Sequence, residues 1–265
     1  MRNVVIGCAL VFLLVSSVGV FASECGPDVR APIWINGDHE FTAENGVVSG
    51  AGTPNDPFII SGGRIDAGPC DYGIRIERTS SYFEIRDFEI SGAAKAGIYL
   101  SYTENGAVIG CRLSANWSGI VINFGSSNSI SQCTFETNTD ALHAYFSHDN
   151  DIADNVFTEN RTALWFDACH ENTVTSNGFI DNHTAVFLDL GSAGNILSGN
   201  AFFGNVHDAQ AATPNQWSCD GIGNYWDVYR GLDIDKDGIG DTPFVIQVQD
   251  NEDHSPMMSD PRASD

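Results

Sequence analysis

From Ala96 to Asn205 the apolar positions of the chain return at a fixed distance. The stretch divides without gaps into five windows of 22 residues, beginning at Ala96, Ser118, Asp140, Thr162 and Thr184. Ile98, Ile120, Leu142, Leu164 and Val186 make one apolar column. Val108, Ile130, Ile152, Val174 and Ile196 make a second. Leu113, Phe135, Phe157 and Phe179 make a third, which Phe202 continues one place late. A fixed period carrying three apolar columns predicts stacked coils, each with three short strands. The expected fold is therefore all-β, a single-stranded right-handed parallel β-helix with 22-residue coils and a cap at each end.

Successive residues of a strand point to opposite faces. Ile98 with Leu100, Ile120 with Ile122, Leu142 with Ala144, Leu164 with Phe166 and Val186 with Leu188 are expected to face inward. A slip of one residue would bury Asp167 and Asp189, so the register is fixed. Residues 72–93 read as a less regular first coil. There Ile74 and Ile76 match the first strand, and Phe83 and Phe88 match the second and third columns. Asparagine repeats as well. Asn116, Asn138, Asn160 and Asn182 form one column, Asn128, Asn150 and Asn172 another, and Asn155 and Asn177 follow the slot of Cys111 and Cys133. Stacked amides bond along the stack and satisfy turn backbone. Asn116, Asn160 and Asn182 also open N-x-S/T sequons, which marks them as glycosylation acceptors if they are exposed.

The ends of the chain read differently. Residues 1–22 have the pattern of a secretory signal. Arg2 precedes an apolar run from Val4 to about Val15, and Val20 and Ala22 stand where small residues precede a cleavage site. Residues 23–71 are irregular and rich in Gly, Pro and Asp, and are assigned to an N-terminal cap, since an open coil end exposes strand edges. Residues 72–205 form the repeats, 206–258 a C-terminal cap, and 259–265 a mobile polar tail that begins to loosen from Gln249. No other stretch is long enough to span a bilayer, so no membrane anchor is expected in the mature chain.

Composition narrows the setting. Past the signal, six cysteines remain: Cys25, Cys70, Cys111, Cys133, Cys169 and Cys219. An even number in an exported chain favours disulfides. Cys111 and Cys133 occupy one slot on neighbouring coils, where strands stand about 4.8 Å apart. Either a disulfide or two stacked thiols suits that slot. Cys25 with Cys70 is a pairing that would fasten the N-terminal segment, and Cys169 with Cys219 is what remains. The formal net charge is −23, with 12 Lys and Arg. That argues against nucleic acid and anionic membrane as partners.

Three stretches together resemble a known family. They are GAGTPNDPFII from Gly50 to Ile60, the 22-residue coils, and GNYW from Gly223 to Trp226 followed by DIDKDGIGDTP from Asp233 to Pro243. Over roughly residues 31–258 the chain resembles the NosD-like family of right-handed parallel β-helix proteins. That resemblance implies an exported, periplasmic or cell-surface protein, and a copper-binding or a carbohydrate-binding and sugar-hydrolase association. No catalytic motif of the family carries over residue by residue.

Three constellations carry candidate chemistry. Asp233, Asp235 and Asp237, with the Ile239 carbonyl and Asp241, have the spacing of a Ca²⁺ loop. The glutamate of a full EF-hand is replaced by Phe244. On the outer face of the first strand, Tyr99, His143, Trp165 and Phe187 run beside Tyr145, Asp167 and Asp189. Rings beside carboxylates suit glycan, whose apolar faces stack while its hydroxyls find acceptors. The same strip offers a hydrolase reading, with Asp167 and Asp189 spaced as a retaining pair and His143 one coil away. His148 and His170 stand in one turn column and offer two imidazoles to copper. The reading that follows is a secreted or cell-surface protein that recognises glycan without catalysis. The alternatives are a glycoside hydrolase, a copper-handling protein and a structural scaffold.

Overall fold

The computed structural model describes residues 30–68, 70–189, 191–246 and 251–262. The expected signal sequence and Cys25 lie outside them. The chain is a parallel β-solenoid, and its one helical element among the described residues is the 3-10 turn Asp38–Glu40. Eight strands stack in one sheet, in chain order: Ile33–Asn36, Tyr72–Thr79, Ala96–Thr103, Ser118–Asn123, Asp140–Tyr145, Thr162–Asp167, Thr184–Leu188 and His207–Ala211. The second and third strands of each coil merge into a 14-stranded sheet. The join is the long strand Phe83–Ser91, which pairs with both Gly106–Ile109 and Arg112–Ser114. Within the segment expected to be irregular, Ile33–Asn36 and Phe58–Asp66 are strands, and both pair in parallel with the next coil.

The apolar columns stand where the periodicity puts them, with two corrections. Ile98, Ile120, Leu142, Leu164 and Val186 are in register and fully buried. The second column, however, passes from Val174 to Leu197 rather than to Ile196. The cause is one additional residue between Leu188 and Ser192. Cys169 N–H bonds Ser192 Oγ, 23 positions on, whereas Leu188 still pairs with Phe166 at 22. In the first coil the partners of Val108 and Leu113 are Ile85 and Ile90, not Phe83 and Phe88. Phe83 instead lies against Gly106, where a Cβ would sit 2.3 Å from its Cζ. A larger residue at 106 would expel the ring. The third column stacks Phe135, Phe157, Phe179, Phe202 and Trp226, with centroids 4.2–5.0 Å apart.

The asparagine columns hold the corners. Each coil turns at a residue with positive φ, and the next residue is the asparagine. Ala115, Thr137, Glu159 and Asp181 have φ of 52–55° and precede Asn116, Asn138, Asn160 and Asn182. A left-handed conformation is unfavourable for a residue with a Cβ. The side chain that follows offsets it by capturing backbone that the corner leaves unpaired. Asn160 Oδ1 accepts from Asn138 N at 2.9 Å and from Asn138 Nδ2 at 3.1 Å, and its own Nδ2 donates to Phe135 O at 3.1 Å. The other two columns repeat this pattern. Asn116, Asn160 and Asn182 are buried, so their sequons do not present an acceptor to solvent.

The same bonding corrects the reading of the C-terminus. Asn251 accepts from Asn215 N and from Trp217 Nε1, both at 3.0 Å. Asp253 takes the next asparagine slot, accepting from Asn224 N at 2.7 Å and Trp226 Nε1 at 2.9 Å. Arg262 lies 5.7 Å from the Phe203 centroid. Residues 251–262 thus close the last coil instead of trailing from it, because the final rungs would otherwise leave backbone N–H groups and two indoles unpaired.

The cysteines correct another expectation. Cys111 and Cys133 share one slot, but as buried free thiols, and Cys70, Cys169 and Cys219 are free as well. The slot is an asparagine slot. Cys133 Sγ turns to Val108 O at 3.6 Å and Ser131 O at 3.2 Å, as an asparagine amide there would. A side chain held in the same rotamer on each coil points its sulfur at backbone rather than along a disulfide vector. The hydrogen bond with Cys111, and then burial, push the Cys133 thiol well above the ordinary range, and burial raises Cys169 to about 11. All three cysteines are buried, and the hydrogen bond with Cys133 holds the Cys111 thiol below the ordinary range.

Candidate functional site

The register sets Trp34, Arg75, Tyr99, Val121, His143 and Trp165 side by side on the outer face of the eight-stranded sheet. This strip is not an open shelf. Val121 is 8% exposed and His143 3%, and Glu77 and Ser101 beside them are buried. At its N-terminal end Arg75 is enclosed by rings, its Cζ 5.2 Å from the Trp34 centroid, 5.1 Å from Tyr72 and 5.6 Å from Tyr99. Arg75 Nε is 2.8 Å from Glu77 Oε2, so its charge is matched internally.

Past Arg75 the face opens into a cleft of about 740 Å³. The strand positions Tyr99, Val121, His143 and Trp165 form its floor. Turn residues form its rim, namely Lys95, Trp117 and Arg161, while Tyr72 and Tyr145 close the ends. The floor and rim arise from one sequence device. Lys95, Trp117 and Arg161 occupy one turn column, and Ala96, Ser118 and Asp140 the first strand column, so each coil adds one residue to each. Trp117, at 61% exposure, stands at the rim.

His143 lies at the centre. Its ring stacks on Trp165 with centroids 4.0 Å apart and planes within 11°, and Tyr145 tilts over it at 3.7 Å. Burial pushes its pKa down to about 3, so the imidazole is neutral in ordinary buffers. Asp140 is also buried. Burial raises its carboxyl above the usual range, opposed by Thr162 and by Arg161, whose Nη2 is 3.5 Å from Asp140 Oδ1.

Of the residues singled out from sequence, Tyr99, His143, Tyr145 and Trp165 come together in this cleft. Phe187, Asp167 and Asp189 do not line it. Phe187 meets Trp165 edge-on at 5.8 Å. A retaining glycosidase needs two carboxylates flanking one bound sugar, and the cleft contains one, Asp140. The pairing of Asp167 with Asp189 therefore does not make a hydrolytic site in the cleft. Sequence reasoning missed Asp140, Trp117 and Arg161. All three were within reach of the same subtraction by 22, applied to the turn columns as well as to the strands.

The two metal candidates fare differently. Asp233, Asp235 and Asp237 converge, with ligand oxygens all within 4.8 Å of one another. The loop is pre-shaped by bonds from Asp237 N and Gly238 N to the Asp233 carboxylate at 3.2 and 3.1 Å. Asp241 instead accepts from Ile234 N at 2.6 Å, and Ile239 pairs with Met257. This donor set is all hard oxygen, which suits Ca²⁺ rather than copper. His148 and His170 are bridged neighbours on adjacent coils, both exposed, and His148 Nδ1 lies 2.9 Å from Asp149 Oδ2. His183 and His207 form a second pair, with centroids 5.5 Å apart. Among the described residues neither pair forms a group of three such donors within 4.8 Å of one another.

Comparison with known proteins bears on the whole chain. The family described as "Periplasmic copper-binding protein (NosD)" matches residues 60–231. Two curated relatives share the name "Probable ABC transporter binding protein NosD", one from Pseudomonas aeruginosa and one from Stutzerimonas stutzeri. Each is 46% identical over 56 residues, which is 20% of this chain and 13% of the relative. The matched segment thus spans only 13% of the length of those relatives. The family match, by contrast, covers more than half of the 265 residues and runs through the parallel coils that build the cleft, so the chain belongs to the NosD family of periplasmic copper-binding proteins.

Proposed function

We propose that the cleft on the outer face of the eight-stranded sheet binds carbohydrate and that the protein is a non-catalytic recognition module. The observation that supports this most is the cleft itself: about 740 Å³, walled by Tyr72, Tyr99, Trp117, Tyr145 and Trp165. Sugar rings present apolar faces to such side chains, and a concave apolar site with few polar groups is the usual form of a small-ligand pocket. Trp117 is the stacking platform, since it stands exposed at the rim, whereas Trp165 already stacks on His143. The family description supports a place in the periplasm or outside the cell. No described helix is long and apolar enough to cross a membrane.

Calorimetric titration against a panel of neutral oligosaccharides tests this reading. At least one binds the wild-type protein, and Trp117→Ala weakens that binding by roughly tenfold or more, the scale of one aromatic stacking contact at a site. Absence of binding to every member of the panel overturns the reading.

The acidic loop is proposed as a Ca²⁺ staple for the C-terminal segment. Its support is the convergence of Asp233, Asp235 and Asp237 beside the strand partner of Met257. Millimolar Ca²⁺ then raises the melting temperature of the wild-type protein by a few degrees, as expected for a ligand at about 100-fold its Kd, and has no effect on Asp233→Asn. Equal melting temperatures with Ca²⁺ and with chelator would leave the loop a simple turn.

A further inference from the structure

We propose that Asp140, His143 and Trp165 form one hydrogen-bonding subsite on the cleft floor, which recognises adjacent hydroxyl groups of a neutral pyranose. This deepens the carbohydrate reading and rests on it.

The interior of this protein pairs its polar groups with unusual regularity. The asparagine columns bond from coil to coil, and the buried tryptophans at the C-terminal end both find acceptors. Against that background only seven buried side-chain polar atoms among the described residues form no hydrogen bond, and of these Arg75 Nε, Glu84 Oε2 and Asp140 Oδ1 still meet an opposite charge in an ion pair. Three of them, Asp140 Oδ1, His143 Nε2 and Trp165 Nε1, belong to residues that line the same cleft. A buried group left unpaired destabilises a fold, so a cluster of three calls for an explanation. A ligand that completes their bonds supplies one.

The three atoms differ in what they offer. The Asp140 carboxylate accepts. The Trp165 indole N–H donates. The neutral His143 imidazole does one or the other according to its tautomer. A hydroxyl group both donates and accepts, so two neighbouring hydroxyls on a sugar ring match the set. A carboxylate or phosphate placed at Asp140 has no proton to give it and meets its charge directly, so the set favours a neutral sugar over an anionic one. The geometry is held in place, since the His143 ring is clamped between Trp165 and Tyr145. The atoms are almost wholly shielded in the free protein. The Arg161 side chain, 62% exposed and 3.5 Å from Asp140, is the group that swings aside on binding.

The test uses the full chain and calorimetry with a neutral oligosaccharide that binds it, the corresponding uronic acid, and a deoxy analogue lacking one hydroxyl. Trp165→Phe keeps a ring and removes the N–H, and Asp140→Asn keeps shape and removes the charge. Circular dichroism checks that both variants fold. The expected result has three parts. The uronic acid binds at least tenfold more weakly than the neutral sugar. Each variant loses about tenfold for the neutral sugar. The deoxy analogue is penalised by wild type but not further by the variant that lacks its partner. Wild-type affinity in both variants, or equal affinity for the uronic acid, overturns the subsite while leaving the Trp117-dependent carbohydrate reading intact. If no oligosaccharide binds wild type, both fall.

Discussion

Replacing Asn160 by alanine destabilises the protein by on the order of 4 kcal/mol, read as a lowered urea midpoint with little change in slope. The side chain is buried in the middle of its column and makes bonds on both sides. Its removal leaves Asn138 N–H without its 2.9 Å acceptor and Phe135 O without its 3.1 Å donor. An unpaired buried backbone group costs about 1–3 kcal/mol, and two are created at once. The corner makes the loss worse. Glu159 keeps a φ of 54° that nothing now offsets. A contrasting change at another corner isolates the argument. Gln132, exposed with a φ of 55°, tolerates glycine with no loss or a small gain, because glycine adopts that conformation freely. If Asn160→Ala and Gln132→Gly have similar effects, the column is ornament and not support.

The second large effect is Phe157→Ala, expected at about 4 kcal/mol, within the range for removing a buried phenylalanine. Phe157 is fully buried and lies between Phe135 at 4.6 Å and Phe179 at 5.0 Å. In a stack each coil rests on its neighbours alone. A cavity in the middle therefore weakens two interfaces rather than one. Hydrogen exchange reports this as lost protection in the strands Thr134–Glu136 and Gly178–Ile180 on either side. A loss confined to the strand Val156–Thr158 would contradict the nearest-neighbour account.

Much of this architecture was legible in the chain because a constant period turns sequence distance into spatial contact. The inward columns through Leu142 and Leu164, and the asparagine columns through Asn138 and Asn160, follow from subtraction alone. The misplacements occur where the period breaks. One additional residue before Ser192 moved the second column from Ile196 to Leu197. The long strand Phe83–Ser91 serves both later strands at once, so its contacts are not those of a regular coil. The closing segment around Asn251 and Asp253 was unreadable for another reason. Its partners, Asn215 and Asn224, lie 36 and 29 residues back, at no common spacing.

The site was half legible. Tyr99, His143, Tyr145 and Trp165 were placed on one face by strand alternation, and they share the cleft. What alternation does not give is depth. It cannot distinguish a half-buried outward residue, such as Asp167, from a buried one, such as His143. That depends on the neighbouring rings, here Trp165 and Tyr145, which lie against the His143 ring. Burial is what leaves His143 neutral and holds the Asp140 carboxyl above its usual range.

The account stands or falls on where a sugar binds, and a crystal structure of the wild-type protein soaked with a neutral oligosaccharide at a saturating concentration measures that directly. It predicts a pyranose ring against Trp117, with neighbouring hydroxyls within hydrogen-bond distance of Asp140 and Trp165 Nε1 and the Arg161 side chain turned away. A sugar bound elsewhere, with the cleft unchanged, would contradict it.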